Sequence, residues 1–269
     1  MRRFQPRWIG YLAVAVVFAA ACVALSNWQF ARRTEAATKV LLVETNYDAP
    51  RQPADAVLGQ HEEFDRSSMW LPVTVEGHYL PQFATLVRNR VMDNEAGFDS
   101  VVPFLMNGGS VIVIDRGWIA SIGGDTPANA VPLPSTDETR VTIRLRASEP
   151  RIQGQESTAV SIPTLNVQSF SQRWSLPTYT ALYGDLVSEI PAVGAFGKLA
   201  LKPELTEGNH LSYALQWIAF AVMGFVGLGW IITRERQIAR TGGRQFTRRK
   251  SPSRDESEED RIIDSQLGP

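Results

Sequence analysis

The chain has 269 residues, a formal net charge of −1, one cysteine and 44% hydrophobic residues. That balance excludes a strongly basic nucleic-acid binder and a chain disordered throughout, and a lone cysteine excludes a disulfide framework and a CxxC redox or thiolate metal site. Charge is uneven along the chain, however, and its runs and gaps suit different environments.

Arg2, Arg3 and Arg7 precede residues 9–25, which carry no charge, and Trp8 and Trp28 flank the run where amphipathic indoles favour a membrane interface. Counting on to Phe30 brings the run to about 20 residues, the usual spanning length, so 9–30 is a predicted transmembrane helix behind a short N-terminus, 1–8. A cleaved signal peptide competes, since the start is basic, the centre alanine-rich and "AAAC" half-resembles a lipoprotein cleavage site. Retention is favoured because the apolar character continues through "VALSNWQF" without a turn signal. The Ala15/Ala19 and Ala20/Ala24 pairs have the small-xxx-small spacing that lets membrane helices approach closely, or reflect composition alone.

Residues 31–209, on the order of 180, suffice for one domain with its own core. "LPVTVEGHY" alternates around Val73 and Val75, and "VTIRLRA" sets Val141, Ile143 and Leu145 against Thr142, Arg144 and Arg146. Such alternation suits a half-buried antiparallel sheet. "VVPFLMNGGSVIVIDRGW" reads as a hairpin across "NGG", with Asn107 and Gly108 expected at positive φ. "TNYDAPRQPADAVLGQ" and "SIGGDTPANAVPLPSTDE" read as loops, "VQSFSQRWSL" as a short helix and "PTYTALYGDLV" as a return to strand. The expected fold is a membrane protein of the α+β class, two transmembrane helices flanking a β-rich, antiparallel, barrel- or sandwich-like extracytoplasmic domain.

The second apolar run, 211–232, is long enough alone, giving a predicted transmembrane helix over 210–232. Arg234, Arg236, Arg240, Arg244, Arg248, Arg249 and Lys250 crowd its C-terminal side, so both termini are expected in the cytoplasm of a multi-pass cell-membrane protein. Arg32, Arg33 and Lys39 oppose that assignment, but they head a long translocated domain, where the bias counts less. Within 233–269 the tail turns acidic in "SPSRDESEEDRIIDSQLGP" and is expected to be disordered. Basic and then acidic blocks could meet anionic lipid and a partner, or simply be solvated.

His61, His78 and His210 lie far apart without metal-ligand spacing, so copper carriage is not expected. A serine with His78 and Asp115 could be imagined as a hydrolase trio, but no GxSxG elbow accompanies it and no enzymatic activity is expected. His210 is the unusual residue. A strongly polar side chain in a membrane helix faces protein, water or a ligand. Steps of three and four from it reach Tyr213, Ala214, Trp217, Ala221 and Gly224, a stripe against which a flat ligand could lie, with Ser212 and Gln216 off it. The plainer reading has Asn209 capping the helix and His210, Tyr213 and Trp217 at the water interface.

Four blocks, "WQFARRTEAATKVL" from Trp28, "RNRVMDNEAGFDSVVPF" from Arg88, "VIDRGWIA" at 113–120 and "NHLSYALQWIAFA" at 209–221, resemble in order those of the Surfeit locus protein 1 family, membrane factors for assembly of haem-copper cytochrome c oxidase. The resemblance spans nearly the whole chain apart from the tail, and its last block is the most specific. It implies work on the oxidase catalytic subunit at the lipid membrane, with no nucleic-acid partner, at transient haem a handling or insertion. It also implies His210 as the haem-iron ligand. Trp217 and Tyr213 would lie beside the macrocycle, and Arg116 would pair with a propionate or else mark a strand end with Gly117 and Trp118. A scaffold that stabilises an oxidase subunit or supercomplex without haem is the alternative, and an extracytoplasmic enzyme a distant one. The long loop after Ala120 and the basic-acidic tail depart from the family pattern.

Overall fold

The computed structural model describes residues 6–121, 133–158 and 160–240, so most of the loop at 121–139 and the acidic tail lie outside the described residues. The chain forms two compact units, one made of Met1–Ala31 with Asn209–Pro269 and the other of Arg32–Gly208.

In the first unit, α1 (Arg7–Asn46) contributes its residues up to Ala31. Apolar character sets where a helix can meet lipid, but only a breaker ends it. "ARRTEAATKVLLVE" is rich in helix formers, Arg32 and Glu35 pair at 2.8 Å, and no proline falls between Pro6 and Pro50, so α1 continues well past residue 30. The last helix likewise runs beyond 232, to Arg240. Both helices are long and apolar enough to cross a membrane.

In the second unit, Val43 in the last turn of α1 and Tyr47 just after the helix are buried. There follow β1 (Gln52–Pro53), α2 (Ala54–Val57), β2 (Pro72–Tyr79), β3 (Thr85–Met92), β4 (Glu95–Met106), β5 (Val111–Ala120), β6 (Thr139–Ala147), β7 (Ser161–Ile162), α3 (Val167–Phe170) and β8 (Leu182–Ile190). The α3 turn falls in the segment expected to be a short helix. The first segment expected to be a loop instead holds the end of α1, β1 and α2.

Five strands close a barrel in the order β2-β6-β8-β5-β4 and back to β2, which settles the choice between barrel and sandwich. Closure depends on the length of β4. One edge pairs with β5, while the other is shared between β3, at residues 95–101, and β2, at 104–106. The expected antiparallel pairing holds for β2–β6, β6–β8, β4–β5 and β3–β4, whereas β5 and β8 run parallel.

The anticipated alternation places Val73, Val75, Val141, Ile143 and Leu145 inside, with Phe104, Ile112 and Ile114. Each of these fully buried aliphatic and aromatic side chains contributes roughly 1.5–3 kcal/mol. Val101, Val111, Val113 and Tyr183 point the other way, into a second cluster with Val167 and Trp174. This is why β4 and β5 read as almost continuous apolar runs: both of their faces are covered.

The hairpin across "NGG" forms, but its turn spans residues 107–110 and only Gly109, at φ +85°, is left-handed, so Asn107 and Gly108 do not take the expected positive φ. A two-residue turn with both residues at positive φ lies earlier, at Asp93 (52°) and Asn94 (63°), where β3 turns into β4. Its twist matches that of the strands it joins.

Candidate functional site

The helix α4 (His210–Arg240) packs antiparallel to the first part of α1 within their unit. Its covered stripe is His210, Ala214, Trp217, Ala221 and Gly224, the stripe that steps of three and four select, less exposed Tyr213. Facing it on α1 are Ala15, Ala19, Cys22 and Ser26, small residues that let the backbones approach. Ala214 is fully buried, the Ser26 hydroxyl donates to its carbonyl at 3.1 Å, and a Cβ on Gly224 would stand 3.1 Å from the Phe18 ring. The stripe is therefore closed by α1 rather than open to a flat ligand. At the far end, Trp8 Nε1 donates to Glu235 at 2.8 Å and Arg7 pairs with the same carboxylate at 3.2 Å.

His210 opens α4, half-buried, with Nδ1 2.9 Å from Gln29 Oε1. The amide oxygen can only accept, so the contact calls for the proton on Nδ1, and in the neutral ring Nε2 then keeps its lone pair. Nε2 has no hydrogen-bond partner among the described residues. Asn209 occupies the cap position through its carbonyl, which accepts from Tyr213 N at 3.1 Å. Tyr213 is half exposed, and Trp217 meets Phe220 edge-on at 5.7 Å. One of the expected site residues, His210, thus has a ring nitrogen without a hydrogen-bond partner among the described residues, with Tyr213 and Trp217 one and two turns along the same helix.

Arg116 belongs to the other unit, inside the barrel. Period two carries it from Ile112 and Ile114 to the interior face of β5. There its guanidinium donates twice to Glu189 Oε1, at 3.1 and 3.0 Å, once to Oε2 at 3.2 Å, and once to the Ala195 carbonyl at 3.2 Å. The two side chains are 1% and 0% exposed. The Tyr79 hydroxyl donates to the same carboxylate at 2.6 Å; burial first and the Glu189 charge second raise its pKa far above the usual phenol. A propionate would have to displace Glu189 to reach Arg116.

The "DRGW" block is a β-bulge. Between the pairs Val101↔Asp115 and Asp99↔Trp118, β5 carries one residue more than β4. Gly117 takes up the distortion at φ +108°, where a Cβ would lie 2.7 Å from the Lys198 carbonyl. Asp115 Oδ1 accepts from Gly117 N at 2.8 Å. Trp118 is turned from the interior face towards the outer one, where it lines a cleft of about 210 Å³ with Arg90, Asp99, Asp115, Arg146 and Asp185.

Arg90 pairs there with Asp99 at 2.7 Å and Glu149 at 2.8 Å, and Arg146 with Asp185 at 2.7 Å. Asp115 and Asp185 are directly opposed on neighbouring strands. Burial, then the charges of Asp99 and Asp185, raise the Asp115 carboxyl well above its ordinary range. Burial raises Asp185 too, against the pull of Arg146. Asp99 is pushed up to about 6, by burial first and with Asp185 and Glu149 adding to it against Arg90. Burial also opposes ionisation of Glu149, but hydrogen bonds from Thr164 and the Leu165 amide, with Arg90, more than reverse it and hold that carboxyl low.

A carboxyl whose folded pKa is raised binds its proton more tightly folded than unfolded, so its stabilisation is complete below the unfolded value near 3.8 and is lost as pH rises through the folded value. For Asp99 that window runs from about 4 to about 6. Asp115→Asn keeps an oxygen for the Gly117 amide while removing the charge. The full-length protein in detergent should then be more stable than wild type at pH 7 and little changed at pH 4. Lower thermal stability of the variant at pH 7 would show that the Asp115 charge is favourable where it stands.

Sequence reasoning missed Gln29, Glu189 and the cleft acids Asp99 and Asp185. Gln29 was legible as the polar residue three beyond Ser26 on the small-residue face of α1. Among the described residues, no three His, Cys, Asp or Glu side chains converge as a metal site.

A closed barrel holding the buried Arg116–Glu189 pair, and two helices long and apolar enough to cross a membrane, one of them opening on His210, define a barrel protein with two candidate membrane spans. The SURF1 family model matches residues 16–222, and the chain belongs to the SURF1 family. It is 29% identical over 243 residues to an uncharacterised SURF1-like protein of Mycobacterium bovis, covering 86% of this chain and 85% of the relative. An uncharacterised SURF1-like protein of Mycobacterium tuberculosis matches with the same identity and coverage.

Proposed function

We propose that this chain is an assembly factor for haem-copper cytochrome c oxidase that holds haem a transiently, through His210, on its way to the catalytic subunit. Family membership supports the general role. The haem part is carried by one observation, the 2.9 Å contact that leaves Nε2 of His210 free for a metal. A haem there would supply an iron for that nitrogen. Because α1 fills the small-residue stripe, the macrocycle belongs on the flank of α4 beside it, where exposed Tyr213 and the uncovered edge of half-buried Trp217 offer aromatic surface. Arg116 serves by holding the barrel together with Glu189.

The absorption spectrum of the full chain purified from haem a-producing cells is the test: a haem band is expected, and its absence when haem a is present turns the reading to a scaffold without cofactor. That second reading has the apolar outer face of α4 behind it, exposed at Leu215, Val222 and Val226, which suits another helix as well as lipid.

The same proposal places both termini in the cytoplasm and the barrel outside, from the arginines that follow α4. Reporters fused at Met1 and after Arg240 should both read as cytoplasmic, and one inserted in the 121–139 loop as external. A shortened, soluble product starting after the first apolar run would end this topology.

A further inference from the structure

We propose that Gln29 is the positioning residue for His210: its amide oxygen fixes the proton on Nδ1 and thereby presents Nε2 as the metal-binding nitrogen. The haem consequence rests on the function proposed above, whereas the control of the tautomer does not. A neutral imidazole has one donor and one acceptor nitrogen, and only the acceptor binds a metal. Which is which depends on the partner of the other nitrogen, and second-shell partners of this kind also raise ligand basicity.

Gln29 is held for the task. Its side chain is half-buried on the face of α1 that carries Cys22 and Ser26, both almost fully buried. Ser26 bonds the Ala214 carbonyl at 3.1 Å, one turn of α4 beyond His210, while Gln29 lies three residues beyond Ser26 on α1. These successive rungs, Ser26–Ala214 and Gln29–His210, fix both register and rotation of the first turn of α4. In so sheltered a place the hydrogen bond is stronger than in water.

The experiment uses the full-length chain in detergent, labelled with ¹⁵N-histidine, at a pH where the rings are neutral. The spectrum of His210→Ala identifies the His210 signals among those of His61 and His78. Wild type should show His210 protonated on Nδ1. Gln29→Leu should lose that preference, and Gln29→Glu, which keeps an acceptor, should retain it. Titrated with ferric protoporphyrin IX, Gln29→Leu should bind about 10–100-fold more weakly, the usual cost of a lost outer-shell partner, and Gln29→Glu nearly as wild type. A wild-type ring protonated on Nε2, or an unchanged tautomer in Gln29→Leu, overturns the proposal. If the tautomer follows residue 29 but wild type binds no haem, the positioning stands and the haem function falls.

Discussion

Arg116→Met should lower the stability of the protein by about 3–5 kcal/mol, the cost of leaving one partner of a buried ion pair without the other. Glu189 would be left inside the barrel with the Tyr79 hydroxyl and a Val193 amide at 3.5 Å, too little to replace a guanidinium that donates three times. Arg116→Met combined with Glu189→Leu removes both charges and puts apolar volume in their place, so it should recover most of the loss, as replaced buried pairs often do. The measurement is thermal unfolding of the three proteins in detergent, with the amount in the membrane as a second readout. A double variant no more stable than Arg116→Met would mean that the pair is required for the barrel's shape rather than for its charge balance.

The barrel interior was legible in the sequence wherever strict period-two alternation held, as in β2 and β6. It failed where a bulge reset the count. In β8, Leu186 pairs with Ile143 and Ser188 with Thr142, so the strand carries one extra residue at Val187 and the interior face passes from Leu186 to Glu189. Alternation from Leu182 and Leu186 places Glu189 outside, so the partner of Arg116 could not be found by counting. The bulge at Gly117 likewise turns Trp118 outward and builds the cleft, although each residue of the block was noticed individually. The helix stripe fared better, because neither helix contains a bulge to shift its period. What the sequence could not say is that the partner of that stripe is α1 itself. Small residues at matching spacing favour close approach, but they do not name what approaches.

His210→Ala should abolish any haem that co-purifies with the protein and lower the amount of mature oxidase, while leaving the protein's own membrane level intact. The separation is physical. An axial nitrogen is a directional bond to iron for which alanine has no substitute, whereas the helix pair loses a single hydrogen bond to Gln29, about 1 kcal/mol. Ser26–Ala214, the small-residue seam and the Glu235 contacts all remain. Asn209→Ala is the matched control one residue away. The Asn209 carbonyl survives the change and no side-chain hydrogen bond of Asn209 occurs among the described residues, so the cost falls below the usual cap value of about 1 kcal/mol. Haem should stay bound in that variant. Free imidazole added to His210→Ala during haem loading should restore part of the band, since it can fill the vacated position, whereas a misfolded helix would not respond. Full haem occupancy in His210→Ala without imidazole would remove His210 from the ligand role, and equal loss in Asn209→Ala would trace the effect to the helix start instead of the imidazole.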